Sequence, residues 1–329
     1  MGQNTVFKKV CFHGVLNERT GYGIHGTRFV EALEKYIPVD RNGQEGDVHI
    51  TLVDVVSIQN IQERLPYPSI CYSVWESTEY PAWFIEKLKL FDQLWVPSEW
   101  QRACSIAQGI PEEFVKVVPE GVDPDIYKPG KGPYRGADAS SNRPFTFLHI
   151  GQWQPRKSTL EIIQAYQKAF PLSKDPLGQI TRLELSVDTL FPSDTYKSTE
   201  ERLAAHGIND PRISVIHFEE RDAYIRRIQS ADCFVSCSRS EGWFLPLCES
   251  MACGIPSIAA DFGGSTEYAM EAVNVRISKL IKPFGIYGNW DVPGMWAEPD
   301  YDHLVECMQD VYEHYGPERV NVGYKERLS

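Results

Sequence analysis

The first third of the chain alternates short apolar runs with segments in which apolar residues recur at helical spacing. The strand-like runs are KKVCFHGV, DVHITLVD, PSICYSV, DQLWVPS and FVKVVPEG. Among them lie helical patterns in HGTRFVEALEKY, PAWFIEKLKLF and EWQRACSIAQG. Short apolar runs bounded by turn residues predict buried strands, and apolar residues at i, i+3 and i+4 predict amphipathic helices. This alternation predicts a parallel sheet with helices on both faces.

The pattern stops at residue 123 and restarts after residue 144. The intervening segment DPDIYKPGKGPYRGADASSNRP is rich in Gly, Pro, Ser and Asp, which is typical of a linker. Beyond it, FTFLHIGQW, RLELSVD, RISVIHF, CFVSCS and PSIAA predict buried strands, and STLEIIQAYQKAF predicts a helix. We therefore expect an N-terminal domain over residues 1–130, a linker over 131–143 and a C-terminal domain over 144–329. Ligands of such α/β domains bind outside the carboxyl ends of the strands.

Composition narrows the class of protein. The 329 residues are 42% hydrophobic and 24% charged, as in soluble globular proteins of two ordinary domains. The formal net charge of -12, without a Lys/Arg block, argues against stable binding to nucleic acid or an anionic membrane. No apolar run reaches the ~20 residues of a membrane helix, and the N-terminus lacks a signal-peptide core, so we expect a cytoplasmic protein. The eight cysteines show no zinc-binding spacing, so no metal site is predicted. We interpret them as reduced, buried thiols.

The loop after the strand CFVSCS carries two carboxylates close to a helix start. Glu241 follows the strand, and Glu249 falls in the first turns of the next helix, within SRSEGWFLPLCESMACGIPSIAADFGGSTEYA. Backbone N–H groups at a helix start are unpaired and partly positive, whereas carboxylates only accept hydrogen bonds. The pair therefore suits the hydroxyls of a sugar or a ribose. The alternative is that Glu241 caps the helix and Glu249 is a solvated surface residue.

A second turn from strand to helix, in HIGQWQPRKSTL, carries two cations. Arg156 and Lys157 precede a helix that we expect Ser158 to cap. Two cations beside a helix start can clamp a diphosphate. The alternative is that both are solvated surface charges.

Two segments of the N-terminal half could face the same ligand. Gly21, Tyr22 and Gly23 follow the first strand, where glycines let the backbone approach a ligand closely. The segment YSVWESTEY carries Glu76 and Glu79, either of which could orient an acceptor hydroxyl or the sugar; alternatively, both are exposed acids at a helix start. We expect His25 to cap the first helix or lie on its surface.

Several of these segments resemble one family. EGWFLPLCESMACGIPSIA resembles the E-x7-E signature of retaining GT-B glycosyltransferases, in particular family 4, whose usual form is close to E-G-F-G-L-P-L-L-E-A-M-A-C-G-x-P-V-I. HIGQWQPRK is similar to the family's G-R-x-x-x-x-K-G loop, and VPEGVD to its V-P-N-G-V-D segment. The chain departs from the pattern at Gln152, where the family has Arg, and at Trp243 and Phe244, where it has Phe and Gly.

The resemblance implies an α/β protein of the GT-B type, with two Rossmann-like domains whose parallel sheets face a central cleft. It also implies that Glu241 contacts the donor sugar, Glu249 the nucleotide ribose, and Lys157 the donor diphosphate. We predict Glu241, Lys157 and Glu76 as catalytic residues. The predicted donor-binding residues are Gly21, Tyr22, Gly23, Gln152, Arg156, Lys157, His217, Glu241, Gly242, Trp243, Phe244, Leu245 and Glu249.

The implied reaction is retaining transfer of a hexose-type sugar from a nucleoside diphosphate sugar, a UDP- or GDP-sugar, to a hydroxyl acceptor. The resemblance implies no metal and no permanently bound cofactor. The acceptor class stays open among saccharides, lipid-linked molecules, proteins and nucleic acids. Two alternatives remain: another enzyme on the same fold, such as a sugar-nucleotide epimerase or a phosphorylase, and a non-catalytic protein that binds nucleotide sugars.

Overall fold

The structure is a computed structural model that describes residues 7–17, 20–130, 143–188, 195–218, 220–285 and 291–315. The predicted linker lies outside these residues, apart from Arg143. Two six-stranded parallel sheets are present, one on each side of that segment, which confirms the predicted fold class. We refer to them, with their helices, as the N-terminal unit and the C-terminal unit; the exact domain boundaries stay a prediction.

The sheet of the N-terminal unit has the strand order β2-β1-β3-β4-β5-β6. Its strands are β1 Val10–His13, β2 Val39–Asp40, β3 Val48–Leu52, β4 Ser69–Tyr72, β5 Gln93–Val96 and β6 Val115–Val117. Its helices are α1 Gly21–Leu33, α2 Ala82–Leu88 and α3 Glu99–Ala107. Five of these strands were predicted, and only the two-residue β2 was not.

The sheet of the C-terminal unit has the order β12-β11-β10-β7-β8-β9. Its strands are β7 Phe145–Gln152, β8 Thr181–Asp188, β9 Ile213–Val215, β10 Cys233–Val235, β11 Ser257–Ala260 and β12 Val273–Val275, and an antiparallel pair follows, β13 Ile277–Ile281 and β14 Trp296–Pro299. Its helices are α4 Thr159–Ala169, α5 Thr199–Ala205, α6 Arg221–Ser230, α7 Leu245–Ala252 and α8 Tyr301–Tyr315. Because β7 and β10 are neighbours, the two loops singled out in the sequence leave the same edge of one sheet.

The central strands are apolar on both faces because both faces are covered. On β7, Phe145 and Phe147 pack in one core with residues of α4 and α8, whereas Leu148 and Ile150 pack in a second core with Leu247 of α7. No helix among the described residues is long and apolar enough to cross a membrane.

Two local predictions about helix starts are corrected. Gly21–Gly23 forms the first turn of α1 instead of a loop, because Thr20 caps the helix by accepting a hydrogen bond from the Gly23 N–H at 3.1 Å. Ser158 does precede α4, but its backbone is left-handed, with φ 54°, and its side chain makes no cap hydrogen bond. Ser98, by contrast, caps α3 by accepting from the Gln101 N–H at 3.2 Å.

The two units meet along the segment that follows β4. There, Ser77 Oγ donates to the Pro293 carbonyl at 2.6 Å, and the Trp296 indole donates to the Glu76 carbonyl at 2.8 Å. A further contact joins α3 to the C-terminal unit, where the Trp100 N–H donates to Glu267 Oε1 at 3.0 Å. These contacts bring the carboxyl ends of the two sheets together.

Candidate active site

Glu241 is buried at the carboxyl end of β10, with 5% of its surface exposed. Its two oxygens take different cations: Oε1 accepts from Lys157 Nζ at 2.6 Å, and Oε2 lies 2.6 Å from Arg156 Nη1. Glu241 is therefore neither a helix cap nor a surface acid, and Arg156 and Lys157 are not solvated charges. The loops after β7 and β10 form one ion-paired cluster.

Arg156 extends this cluster across the units. Its Nη1 also donates to the Ser240 carbonyl at 2.8 Å, and its Nη2 lies 3.2 Å from Glu76 Oε1. Glu76 belongs to the N-terminal unit and is largely buried, whereas Glu79 is exposed. Of the two acids predicted for this segment, the structure therefore joins Glu76 to Glu241 through one guanidinium group.

Burial sets the electrostatics of the cluster. It lowers the pKa of Lys157 to about 8, although Glu241 opposes this decrease. Burial also pushes the pKa of Glu241 upward, but the charges of Arg156 and Lys157 outweigh it and hold this pKa below its ordinary value. Glu241 is therefore ionised at neutral pH. In this state it can accept hydrogen bonds but cannot donate a proton.

The turn from β10 into α7 lies between Lys157 and the N-terminal unit. Phe244 has a left-handed backbone, with φ 86°, and Lys157 Nζ lies 4.0 Å from the centre of its ring. Trp243 is buried against Tyr268, with ring centres 4.8 Å apart, and its indole N–H has no hydrogen-bond partner within the described structure. Leu245, the first residue of α7, is half-buried.

Gly242 lies at a close contact between the two units. A Cβ atom at this position would be 2.4 Å from Val74 Cγ1 and 2.9 Å from the Trp75 carbonyl oxygen. Tyr22 of α1 is hydrogen-bonded to the same loop after β4. Its hydroxyl donates to the Val74 carbonyl at 2.7 Å and accepts from the Val74 N–H at 3.0 Å. Tyr22 thus supports the backbone that Gly242 contacts.

Glu249 forms a second cluster on α7, with 3% of its surface exposed. It accepts hydrogen bonds from the Tyr224 hydroxyl and, at 3.3 Å, from Arg221 Nη2, both on α6. Burial raises the pKa of Glu249, and the hydrogen bonds of Tyr127 and Tyr224 oppose this increase. The sequence analysis missed these partners, although Arg221 is only four residues after the His217 that was singled out.

Glu120 and His25 form a buried pair that the sequence analysis also missed. His25 Nδ1 lies 3.7 Å from Glu120 Oε2, with both side chains under 10% exposed, so the expected surface position of His25 is wrong. Burial lowers the pKa of His25 to about 3. Burial, together with Glu76, Glu249 and Glu241, raises the pKa of Glu120 to about 8. The sequence did carry one signal. Glu120 lies at the position where the family that this chain resembles has Asn, in the segment V-P-N-G-V-D.

Two predicted donor residues make other contacts. Gln152 ends β7, and its side-chain oxygen accepts from Gln154 Nε2 at 2.7 Å. His217 follows the edge strand β9; its side chain is 61% exposed and lies 3.7 Å from Glu200 Oε1. Neither has a described contact with Glu241 or Glu249.

The cluster is closed in this structure. The crevice beside Tyr22, Val74 and Glu76 has a volume of only about 10 Å³, about enough for a single water molecule. A groove of about 670 Å³ lies beside α3 instead, lined by Thr78, Glu79, Trp100, Ala103, Cys104, Ala107 and Gln108. None of the predicted donor residues lines that groove. Lys157 itself is buried, with 7% of its surface exposed, so a ligand must displace its present contacts to reach it.

The two facing α/β units, with a shared cluster at their strand ends, have the arrangement of the GT-B fold. The chain resembles solved structures of this class at low sequence identity. One is the Anabaena protein HepE in complex with UDP and glucose, with a TM-score of 0.63, 15% identity, and coverage of 95% of this chain and 92% of that one. Another is sucrose-phosphate synthase of Thermosynechococcus elongatus, with a TM-score of 0.58, 16% identity, and coverage of 89% and 70%.

The C-terminal unit also matches a family model in sequence. Residues 134–280 match the model of the family Glycosyl transferases group 1, which confirms the resemblance to these enzymes. The chain is also 27% identical over 158 residues to the GDP-mannose:cellobiosyl-diphosphopolyprenol alpha-mannosyltransferase of Xanthomonas campestris. That match covers 48% of this chain and 37% of the relative, so the chain matches little more than a third of that protein's length.

Proposed function

We propose that the chain transfers a hexose from a nucleoside diphosphate sugar to a hydroxyl acceptor, with retention of the anomeric configuration and without a metal ion in the reaction. The observation that carries this proposal is the convergence of Arg156 and Lys157 on Glu241, at the adjoining ends of β7 and β10.

The cations of this cluster suit a diphosphate. Both are buried, and in this structure their partners are the carboxylates of Glu241 and Glu76. Oxygen atoms of a diphosphate can replace these carboxylate oxygens, because phosphate accepts the same charge-assisted hydrogen bonds. Binding of the donor would then release Glu241 to accept hydrogen bonds from sugar hydroxyls.

In the proposed reaction, Lys157 and Arg156 stabilise the negative charge that develops on the departing diphosphate. This is the charge that a metal ion would otherwise neutralise. Glu249 and its partners on α6 would hold the ribose, because a buried carboxylate can accept from both hydroxyls of a diol.

Retention is supported by the position of the carboxylates. A double displacement needs a free carboxylate as nucleophile on the face opposite the leaving group. Glu241 and Glu76 instead both lie beside Arg156, on the side proposed for the leaving diphosphate. We therefore propose attack on the face of the leaving group, with a donor phosphate oxygen accepting the proton of the acceptor hydroxyl. Glu76 would orient that hydroxyl.

The donors bound by similar proteins define the first compounds to test. HepE is described in complex with UDP-glucose, and the Xanthomonas relative is named for GDP-mannose. The same relative is named for a diphosphopolyprenol-linked acceptor, which makes lipid-linked saccharides the first acceptor class to test.

The test is a transfer assay with UDP- and GDP-hexoses and lipid-linked or free saccharides, followed by substitution in the cluster. Lys157→Met and Glu241→Gln keep the side-chain volume, so we expect intact folding and a decrease in kcat of about 100-fold or more. Lys168→Ala is the matched control, because this lysine of α4 is exposed and pairs with Asp302 at the surface. Wild-type kcat in both cluster variants would contradict the site.

The product distinguishes the alternatives. An α-linked product from an α-linked donor, read from the anomeric proton coupling, is the expected result, and a β-linked product would exclude retention. Interconversion of donors without an acceptor would indicate an epimerase. Donor binding without transfer or hydrolysis, for any acceptor class, would indicate a non-catalytic binding protein.

A further inference from the structure

Cys11, His13 and His49 form a compact cluster in the N-terminal unit, apart from the proposed active site. Cys11 Sγ lies 3.4 Å from His13 Nε2, and His13 Nε2 lies 3.0 Å from His49 Nδ1. All three atoms lie within 4.8 Å of one another. The proposed transfer reaction uses none of them.

The strand register builds this cluster. In the parallel pair of β1 and β3, Cys11 is opposite His49, and His13 is two residues further along β1. Side chains alternate between the two faces of a strand, so all three point to the same face. Val10, Phe12 and Ile50 occupy the other face, in the core that includes Val30 of α1.

The backbone between β2 and β3 covers the cluster closely. A Cβ atom at Gly43 would lie 2.7 Å from His13 Nδ1, and one at Gly46 would lie 2.5 Å from the backbone nitrogen of Cys11. Cys11 and His49 are buried, and His13 is half-buried. The three side chains therefore converge in a sheltered position that water reaches from the side of His13.

The two separations measured from His13 Nε2 are close to those of a tetrahedral zinc site, and the third is within 4.8 Å. With Zn–N bonds of about 2.0–2.1 Å and a Zn–S bond of about 2.3 Å, two nitrogens lie about 3.4 Å apart, and sulfur and nitrogen about 3.6 Å apart. The observed distances of 3.0 Å and 3.4 Å are each within a few tenths of an ångström of these values. The three ligand atoms would have to rearrange to admit an ion between them.

We propose that Cys11, His13 and His49 bind one Zn²⁺ ion through Sγ, Nε2 and Nδ1, with a water molecule as the fourth ligand. One thiolate and two imidazoles form a ligand set that suits zinc. Binding deprotonates Cys11: the thiol loses its proton to solvent as the zinc–sulfur bond forms, and no redox change takes place. The ion would tie β1 to β3 and raise the free energy of unfolding.

The sequence analysis predicts no metal site, and the reason is the spacing. Cys11 and His13 form a C-x-H pair that matches no common zinc motif, and the third ligand lies 36 residues after His13. Only the pairing of β1 with β3 shows that they meet.

The test uses the full chain, stripped with a chelator and titrated with Co²⁺ as a spectroscopic probe and then with Zn²⁺. We expect one equivalent of Co²⁺ to produce a thiolate-to-cobalt charge-transfer band, which Zn²⁺ then removes. Zn²⁺ should also raise the melting temperature, because an ion that binds only the folded state stabilises it.

The decisive variants are Cys11→Ser and His49→Asn, with Cys71→Ser as the matched control. Cys71 is equally buried and lies on the same face of the same sheet, since it pairs with Thr51 of β3. We expect the charge-transfer band and the thermal shift to be lost in the first two and retained in the control. A cobalt spectrum of the wild type without a thiolate band overturns the proposal, whatever the variants do. So does equal binding by Cys11→Ser and Cys71→Ser; the cluster is then only a chain of hydrogen bonds.

Discussion

At the scale of single residues, buried carboxyl groups near the proposed active site differ in their pKa values. Glu241 is held ionised by Arg156 and Lys157, whereas burial raises the pKa of Glu120 to about 8. The two therefore carry different charges at neutral pH. The difference arises because burial and the neighbouring carboxylates raise the pKa of Glu120, whereas the charges of Arg156 and Lys157 outweigh burial at Glu241.

The raised pKa of Glu120 predicts a pH-dependent stability. In the folded state Glu120 retains its proton up to about pH 8, whereas the reference pKa is 4.5. The folded chain thus binds more protons between these values, and the free energy of unfolding falls as the pH rises through them. This decrease has an upper bound of roughly 5 kcal/mol. The substitution Glu120→Gln removes the titrating group and therefore this dependence of stability on pH.

We expect Glu120→Gln to match the wild type in stability at pH 5, where Gln resembles the protonated acid, and to exceed it at pH 9. Urea unfolding at both pH values measures the difference. The control is Glu113→Gln, at an exposed position of the same unit. A stability difference between Glu120→Gln and the wild type that does not change with pH would show that Glu120 titrates normally.

At the scale of elements, the turn from β10 into α7 carries backbone strain. Phe244 occupies the N-cap position of α7 with φ 86°, a conformation that costs non-glycine residues roughly 1–2 kcal/mol. The family that the chain resembles has Gly at this position. The Phe244 ring compensates by packing against Phe234 and by lying under Lys157 Nζ.

This balance predicts an unusual order of stabilities. Phe244→Ala removes the ring but keeps the backbone strain, so we expect the free energy of unfolding to fall by about 3–5 kcal/mol. Phe244→Gly removes both, so we expect it to be more stable than Phe244→Ala by about 1 kcal/mol. Thermal or urea unfolding of both variants measures this. An alanine variant as stable as the glycine variant would show that the turn is unstrained.

At the scale of the whole molecule, the closed arrangement depends on glycine at the contact between the units. Gly242 touches Val74 and Trp75, and Arg156 bridges to Glu76 beside it. Because Lys157 and Glu241 are buried beside this bridge, we expect the units to move apart when a donor enters, as in enzymes that close around their ligands.

We therefore expect Gly242→Ala to favour an open arrangement. Its methyl group would meet a backbone carbonyl of the other unit at 2.9 Å, which cannot move aside as a side chain can. Small-angle X-ray scattering without ligand should show a larger radius of gyration than for the wild type. Gly21→Ala is the control, because a Cβ there meets no atom within 4 Å in the described part of the chain beyond its own helix and neighbouring residues. Identical scattering from all three proteins would argue against this role of Gly242.

The sequence by itself determined the alternation of strands and helices, because the spacing of apolar residues is a local property of each element. It also determined that Glu241 and Lys157 lie at strand ends of the C-terminal unit, since each directly follows a predicted strand. The short β2 escaped prediction because two residues carry no periodic signal.

Only the tertiary structure decided which side chains meet. Arg156 reaches Glu76 across the units, Glu120 faces His25, and His49 joins Cys11 and His13 through strand pairing. These partners are far apart in the chain, so their contacts depend on strand order and on how the units pack, which no local pattern encodes. The strain at Phe244 has the same origin, because its φ is imposed by the turn and its cost is offset by the distant Lys157 and Phe234.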